Sequence, residues 1–328
     1  MPWAEIFSIS AQCAQKTETA IFGVFKTTEI MTIAVSGELG SGKTVLSKKL
    51  SEVFGYEIIS IGKIQRERGR EMGMSTLQFN KYIEQHPEQD VYLDTIIADY
   101  GKTANRYIFD SRLAWHFAPN SFKVHLLVNT DIATKRIFND SGRVSEKYKN
   151  VQTAKTGLIA RKNSERSRFL KQYGVDINDF KNYDLVIDTG HATPKTIFST
   201  FLGSYNAWKN KQPFNPIFFC PKTLIPTRGI KNIVKTATAG QSQKVFEKSP
   251  VQFFKHNNNF FIYRGHKKTS AAIVSGLELI ACQEIPNALL VEHTGMDIES
   301  YVKANCAQDD VRNWEALHQF NYPGYVTF

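Results

Sequence analysis

Residues 37–44 read Gly37-Glu38-Leu39-Gly40-Ser41-Gly42-Lys43-Thr44, a complete G-x-x-x-x-G-K-[ST] loop. No other feature limits the fold as tightly. Such a loop turns its backbone N–H groups around phosphate oxygens only where a strand enters it and a helix leaves it. Both flanks comply. Met31-Thr32-Ile33-Ala34-Val35-Ser36 has the β-branched, apolar character of a buried strand, and Val45-Leu46-Ser47-Lys48-Lys49-Leu50 reads as the opening of a helix. Residues 37–44 are therefore expected to cradle the phosphates of ATP. Lys43 would reach the β- and γ-phosphates, and the Thr44 hydroxyl would hold Mg2+.

The pattern after the loop alternates strand and helix. Strands are expected at 56–61, 106–110, 122–128 and 183–189, the last of them closing the sheet. Two helices broken at Pro87 are expected over 75–104, one from Asp131 as its cap, a charged one over 152–173 and a closing one from Thr193 to Tyr205. This predicts an α/β fold, a parallel sheet of the P-loop NTPase type flanked by helices. The polar, two-proline stretch 206–216 reads as a linker. Beyond it the pattern changes to short strands, with a hairpin around His256-Asn257-Asn258-Asn259 and a helix over 267–275 capped by Gly276. The expected organisation is an extension at 1–30, a nucleotide-binding domain at 31–205, the linker, and a smaller α+β domain at 217–328.

Composition narrows the class. The chain is 42% hydrophobic, enough for a real core, yet no apolar run approaches the roughly 18 residues of a membrane span. Cys13, Cys220, Cys282 and Cys306 are scattered, which argues against a zinc site or a disulfide framework and for a reducing, cytoplasmic setting. Residues 1–30 carry Glu5, Glu18 and Glu29 and lack a basic start before a long apolar core, so no secretory signal is expected; Met31 is an equally good translation start. The net charge of +10 is uneven. Residues 206–272 hold twelve Lys or Arg and one acid, whereas 273–328 hold two Lys or Arg and eight acids. A basic face that meets DNA or another phosphate is the expectation for 206–272.

Three features point to phosphoryl transfer. Ser60-Ile61-Gly62-Lys63-Ile64-Gln65-Arg66 follows the second strand and places a Gly turn and Arg66 one helical turn apart, opposite the phosphate loop, where the planar fork of Arg66 would grip an acceptor phosphate. Asp110 ends a strand, in the position for a Mg2+ ligand or a general base, and Arg112 follows it. Arg136, Arg143, Arg161, Arg166 and Arg168 would form a cationic lid. Arg161, Glu165 and Arg168 share one helix face by their spacing of four and three.

From Met31 to about Gly190 the chain resembles the cytidylate-kinase-like branch of the nucleoside-monophosphate kinases. The resemblance rests on Ser36–Thr44, Ser60–Arg66, Asp110-Ser111-Arg112-Leu113-Ala114-Trp115, Arg161–Phe169, Tyr173–Asp176 and Tyr183–Thr189. It implies ATP and Mg2+ as cofactors and a nucleotide acceptor. It also implies that Arg66, Arg112, Arg161 and Arg168 contact the acceptor phosphate or base, with Glu165 near its sugar or base. Two departures, Ile61 where the family usually has Ser or Thr and the local sequence at Asp110, keep a hydroxyl acceptor open: a nucleoside or a hydroxymethylated base in DNA.

The later region resembles the ParB/sulfiredoxin-like domain. The residues are Leu224-Ile225-Pro226-Thr227-Arg228, Ser249-Pro250-Val251, Phe261–Ala272 and Ile280–Ile285. The corner Arg264-Gly265-His266-Lys267-Lys268 is implied to contact a nucleotide phosphate or DNA. The corner has no Cys, which discounts the reductase branch. An NTP-switched DNA-binding protein without catalysis is the alternative of a different class.

Overall fold

The computed structural model describes residues 32–102, 106–140, 148–228 and 248–322. The expectations for residues 1–30, Met31, Cys13, Arg143 and the middle of the basic stretch (229–247) fall outside those residues.

The chain begins with β1 (Ile33–Gly37), α1 (Lys43–Phe54), β2 (Glu57–Ser60), α2 (Ile61–Glu71), α3 (Thr76–Gln85) and α4 (Pro87–Gly101). There follow β3 (Tyr107–Asp110), the single turn α5 (Ala114–Phe117), β4 (Phe122–Leu127), α6 (Thr130–Phe138), α7 (Val151–Tyr173), β5 (Leu185–Asp188) and α8 (Pro194–Lys209). The remainder is β6 (Ile217–Phe219), β7 (Leu224–Ile225), β8 (Val251–His256), β9 (Asn259–Arg264), α9 (His266–Val274), β10 (Ile280–Glu284), α10 (Asn287–Thr294), α11 (Ile298–Asn305) and α12 (Gln308–His318).

Every residue of β1 is buried, as its apolar run requires, and β1 lies between β3 and β4 in a parallel sheet ordered β2-β3-β1-β4-β5. A strand covered on both faces reads as a continuous hydrophobic run rather than an alternating one. Ile33, Val35, Leu46, Leu50, Phe122 and Phe201 fill the space between this sheet and α1 and α8. Ile59, Leu93, Ile97 and Phe109 fill the space on the other face.

Three details differ from the sequence-based expectation. Asn129, not Asp131, caps α6: its side chain accepts the Asp131 N–H at 2.8 Å, leaving Asp131 inside the first turn. The closing helix runs on to Lys209, so the first residues of the expected linker are helical. And β5 does not end the sheet. β6 pairs with it in parallel, β10 pairs antiparallel with β6, and the order continues through β8 and β9 to β7 as one ten-stranded sheet. The prolines after α8 turn the chain back onto the β5 edge. The core is shared accordingly: Leu113, Trp115 and Phe169 belong to the same buried cluster as Phe219, Phe253 and Trp314.

Two other expectations agree with the structure. β8 and β9 form an antiparallel hairpin whose turn residues Asn257 and Asn258 have φ of 47° and 62°, a conformation asparagine tolerates. Gly276 follows α9 with the Leu277 N–H donating to the Ala272 carbonyl at 2.9 Å, a Schellman closure.

Candidate active site

The site gathers where β1, β2 and β3 end and α7 crosses above them. Its base is the loop after β1. Gly37 has φ 150°, and a Cβ there would lie 2.5 Å from the Leu126 carbonyl oxygen, so only glycine lets the loop leave β1 beside β4. The Ser36 hydroxyl donates to the Ser111 carbonyl at 3.0 Å and the Ser41 hydroxyl to the Glu38 carbonyl at 2.8 Å, which fixes the loop's entry and crest. Lys43 curls back over it, its Nζ 2.8 Å from the Gly37 carbonyl and 2.9 Å from that of Glu38. Burial pushes the Lys43 ammonium down to about 7, with the Arg112 guanidinium adding to the effect and Asp110 and Glu165 opposing it. The Glu38 side chain turns away from the loop's interior. It accepts the Val128 N–H at 2.9 Å and pairs with Lys162, which ties the loop to the end of β4 and to α7.

Asp110 sits at the end of β3, buried, with its Oδ2 accepting from Thr44 Oγ1 at 3.2 Å and from Ser60 Oγ at 3.4 Å. Hydroxyl and carboxylate oxygens are the donors Mg2+ favours. Among the described residues no three His, Cys, Asp or Glu side chains are grouped to hold a metal.

Opposite the loop lies a cleft lined by Arg66, Arg112, Arg161, Glu165 and Arg168. Arg161 Nε donates to Glu165 Oε1 at 2.8 Å, and Arg112 Nε stands 3.1 Å from Glu165 Oε2. Burial alone would raise the Glu165 carboxyl, but Arg112 and Arg161 outweigh it and hold the group down at about 2. Arg168 Nε lies 3.0 Å from Asp90 Oδ2. Glu165 Oε2, Asp90 Oδ2 and Arg168 Nε are thus satisfied as ion pairs, whereas Arg112 Nη2 is buried without a hydrogen-bond partner. A buried donor left so is costly, and a bound ligand is one way to satisfy it.

Of the five lid arginines, Arg161 and Arg168 line this cleft. Arg136 instead spans the outer side of the loop, donating to the Gly40, Thr189 and Gly190 carbonyls at 3.3, 2.7 and 3.1 Å. Arg166 forms a two-point pair with Asp176.

The corner in the later half departs from its expectation. Gly265, with φ 110°, caps α9. His266 points inward, its Nε2 accepting the Thr227 N–H at 3.1 Å. Burial, then Arg228, lowers its pKa to about 4, so the ring is neutral at pH 7 and offers no charge to an anion. Lys268 donates to the Ser249 carbonyl at 2.9 Å, and Arg264 leans over the Tyr263 ring. Arg264 and Lys267 are exposed.

Sequence reasoning missed Ser60, Lys162, Asp90, Asp94 and Tyr173. The last three stand together: the Tyr173 hydroxyl donates to Asp94 Oδ2 at 2.7 Å, and Asp90 and Asp94 are one turn apart on the buried stripe of α4 with Leu93 and Ile97. Two acids spaced by four on an otherwise apolar face were the available signal.

The model of the cytidylate kinase-like family matches residues 32–191. The cytidylate kinase of Thermoplasma volcanium is 33% identical over 190 residues, spanning 57% of this chain and 97% of that one. That of Pyrococcus horikoshii is 35% identical over 170 residues, spanning 52% and 85%. Among solved structures, shikimate kinase from Acinetobacter baumannii has a TM-score of 0.38 at 16% identity, over 57% of this chain and 98% of that chain.

Proposed function

The chain belongs to the cytidylate kinase-like family, and on that premise we propose that it transfers the γ-phosphoryl group of ATP, with Mg2+, to a cytidine monophosphate. It is a P-loop kinase, a phosphotransferase. One observation carries the choice of acceptor. The cleft facing Lys43 is lined by Arg66, Arg112, Arg161 and Arg168, of which Arg112 and Arg161 share Glu165, and Arg112 Nη2 is buried there without a hydrogen-bond partner. A planar donor left over beside that pair suits an acceptor that is already an anion. A phosphate acceptor needs no general base. Asp110, engaged by Thr44 and Ser60, suits a Mg2+ ligand better than a proton acceptor, which disfavours the hydroxyl of a nucleoside or of a modified base in DNA.

The roles follow. Backbone N–H groups of residues 37–44 with Lys43 would hold the donor phosphates; Thr44 and Asp110 would hold Mg2+, which would supply charge neutralisation at the transferred group. Arg66, Arg112 and Arg161 grip the acceptor phosphate, Glu165 keeps Arg112 and Arg161 in place, and Arg168 reaches the acceptor's far end. Residues 217–328 are read as a ParB/sulfiredoxin-like module fused to the kinase. Gly265 at the start of α9 and the exposed Arg264 and Lys267 are its candidate contacts to a nucleotide or DNA phosphate. Steady-state transfer assays with Arg112→Ala test the kinase reading: kcat/KM for CMP falls by about a hundredfold or more. An unchanged value removes the acceptor role. Binding to DNA that weakens steeply with salt tests the module.

A further inference from the structure

A second cavity, of about 510 Å³, opens beside α7, against about 130 Å³ for the acceptor cleft. The two use different faces of that helix. Arg161, Glu165 and Arg168 point into the cleft, whereas Lys155, Ile159, Lys162 and Arg166 border the second cavity. Its other walls are the ends of β4 and β5, the start of α6 and the β8–β9 hairpin. The family match stops at residue 191 and the hairpin lies beyond it, so the cavity exists only because the later strands extend the sheet.

The charges on its walls are already matched. Lys155 pairs with Asp131 at 2.5 Å, Lys162 with Glu38, and Arg166 with Asp176 at 2.6 Å. Lys255 sits 3.1 Å over the Phe180 ring, 3.3 Å from Glu284 Oε1, and donates to the Asn178 carbonyl at 3.2 Å. Asp188 receives Thr223 Oγ1 and the Cys220 and Gly190 N–H groups. The start of α6 faces the cavity too, but Asn129 caps it and Asp131 supplies the negative charge its dipole favours. A net charge on a ligand would meet a like charge in one member of each pair, whereas an uncharged ligand leaves them intact.

What the walls leave open is amide and apolar surface. The side-chain amides of Asn178, Asn258 and Asn259 have no partner among the described residues. Each can both donate and accept. Beside them stand Phe260 and the exposed Ile159. Amides pair with the edge of a nucleobase, apolar side chains cover its face, and the volume is that of an ordinary small-molecule site. We propose that this cavity is a ligand site separate from the catalytic cleft and that it takes an uncharged nucleoside, with the base against Ile159 and Phe260 and its edge and sugar hydroxyls on the three asparagines.

The test is calorimetric titration of adenosine, guanosine, cytidine and uridine into the full chain, with the catalytic cleft filled by Mg2+, a non-hydrolysable ATP analogue and CMP. At least one nucleoside is expected to bind one-to-one with submillimolar affinity. Ile159→Trp, which fills the cavity from an exposed position, or Asn259→Ala, which removes one amide, is expected to weaken that binding about tenfold or more. Neither residue lines the acceptor cleft, so KM for CMP stays within about twofold in both variants. No binding by any of the four at millimolar concentration overturns the inference. So does binding that both variants leave unchanged, or binding seen only when the ATP analogue and CMP are omitted. An ATP analogue and CMP that fail to bind at all would count against the kinase reading instead, and the titrations of the two variants would still decide this one.

Discussion

Thr44 in the first turn of α1 meets Asp110 at the end of β3, Oγ1 donating to Oδ2 at 3.2 Å, and so joins the phosphate loop to the tip of β3. The pair sits where β1 and β3 run side by side, Val35 opposite Asp110. β3 delivers Asp110 directly, while its parallel neighbour β1 leads through the phosphate loop into the first turn of α1, which delivers Thr44. Asp110→Asn keeps the shape and a weaker hydrogen bond but loses the charge. It is expected to lower kcat by about a hundredfold or more and to raise the Mg2+ concentration needed for half-maximal rate. A Mg2+ titration superimposable on wild type would contradict this role.

Lys43 links nucleotide binding to protons. Burial first, then Arg112, lowers its pKa to about 7 in the nucleotide-free protein. Polyphosphate binding restores the charged form. Calorimetry of ATP binding in buffers of different ionisation enthalpy should show uptake approaching one proton at pH 8 and much less at pH 6. The Lys43→Met variant should show no such uptake at either pH.

Glu165 is the counter-charge of the acceptor arginines. Its folded-state pKa of about 2 lies below the ordinary 4.5, so the stability it contributes is present above about pH 4.5 and lost as the pH falls toward 2. Arg161→Ala leaves this buried carboxylate short of a partner and is expected to destabilise the protein by about 3 kcal/mol at pH 7. The deficit shrinks in acid, as the carboxyl is protonated. Urea melts of both proteins at pH 7 and pH 4 check the sign.

How much of this the sequence shows varies with range. The phosphate loop, the β8–β9 hairpin and the Arg161–Glu165 pair were legible because their determinants are local: glycine spacing, adjacent asparagines, and an interval of four on a helix. The join between β5 and β6 was not. A polar, proline-bearing stretch reads as a boundary, while the pairing that overrides it sets Val186 opposite Ile217 and Ile187 opposite Phe218, far apart in the chain. Asp188 shows the same limit. It reads as the end of a strand, yet its carboxylate accepts from Thr223 Oγ1 at 2.5 Å and from the Cys220 N–H at 3.2 Å. His266 has a related limit: a histidine after glycine at a helix start has the sequence of an anion contact, and only the fold brings Thr227 to its ring.

The Asp188 brace makes a prediction of its own. Asp188 is buried and receives Thr223 Oγ1, the Cys220 N–H and the Gly190 N–H, so residues after α8 hold the loop that Arg136 also grips. Thr223→Val removes one donor from a buried carboxylate and is expected to destabilise the protein by about 1–3 kcal/mol. A denaturant midpoint equal to wild type would show that the brace contributes little.

Asp94 carries a stability penalty set by its burial. Burial raises its carboxyl from 3.8 to about 7, so ionisation is disfavoured in the folded state. The penalty begins above pH 3.8 and is complete above about 7. Asp94→Asn is thus expected to stabilise the protein by roughly 2 kcal/mol at pH 8 and by little near pH 4. Equal stabilisation at both would assign the gain to something other than charge.

The most direct test of the central claim is Mg2+-dependent transfer of labelled γ-phosphate from ATP across a panel of CMP, dCMP, UMP, AMP, nucleosides, and plain and hydroxymethylated DNA. Label is expected on free CMP or dCMP, well above the other acceptors and dependent on Arg112 and Arg161. Label on DNA or on nucleosides, with none on any monophosphate, would contradict it.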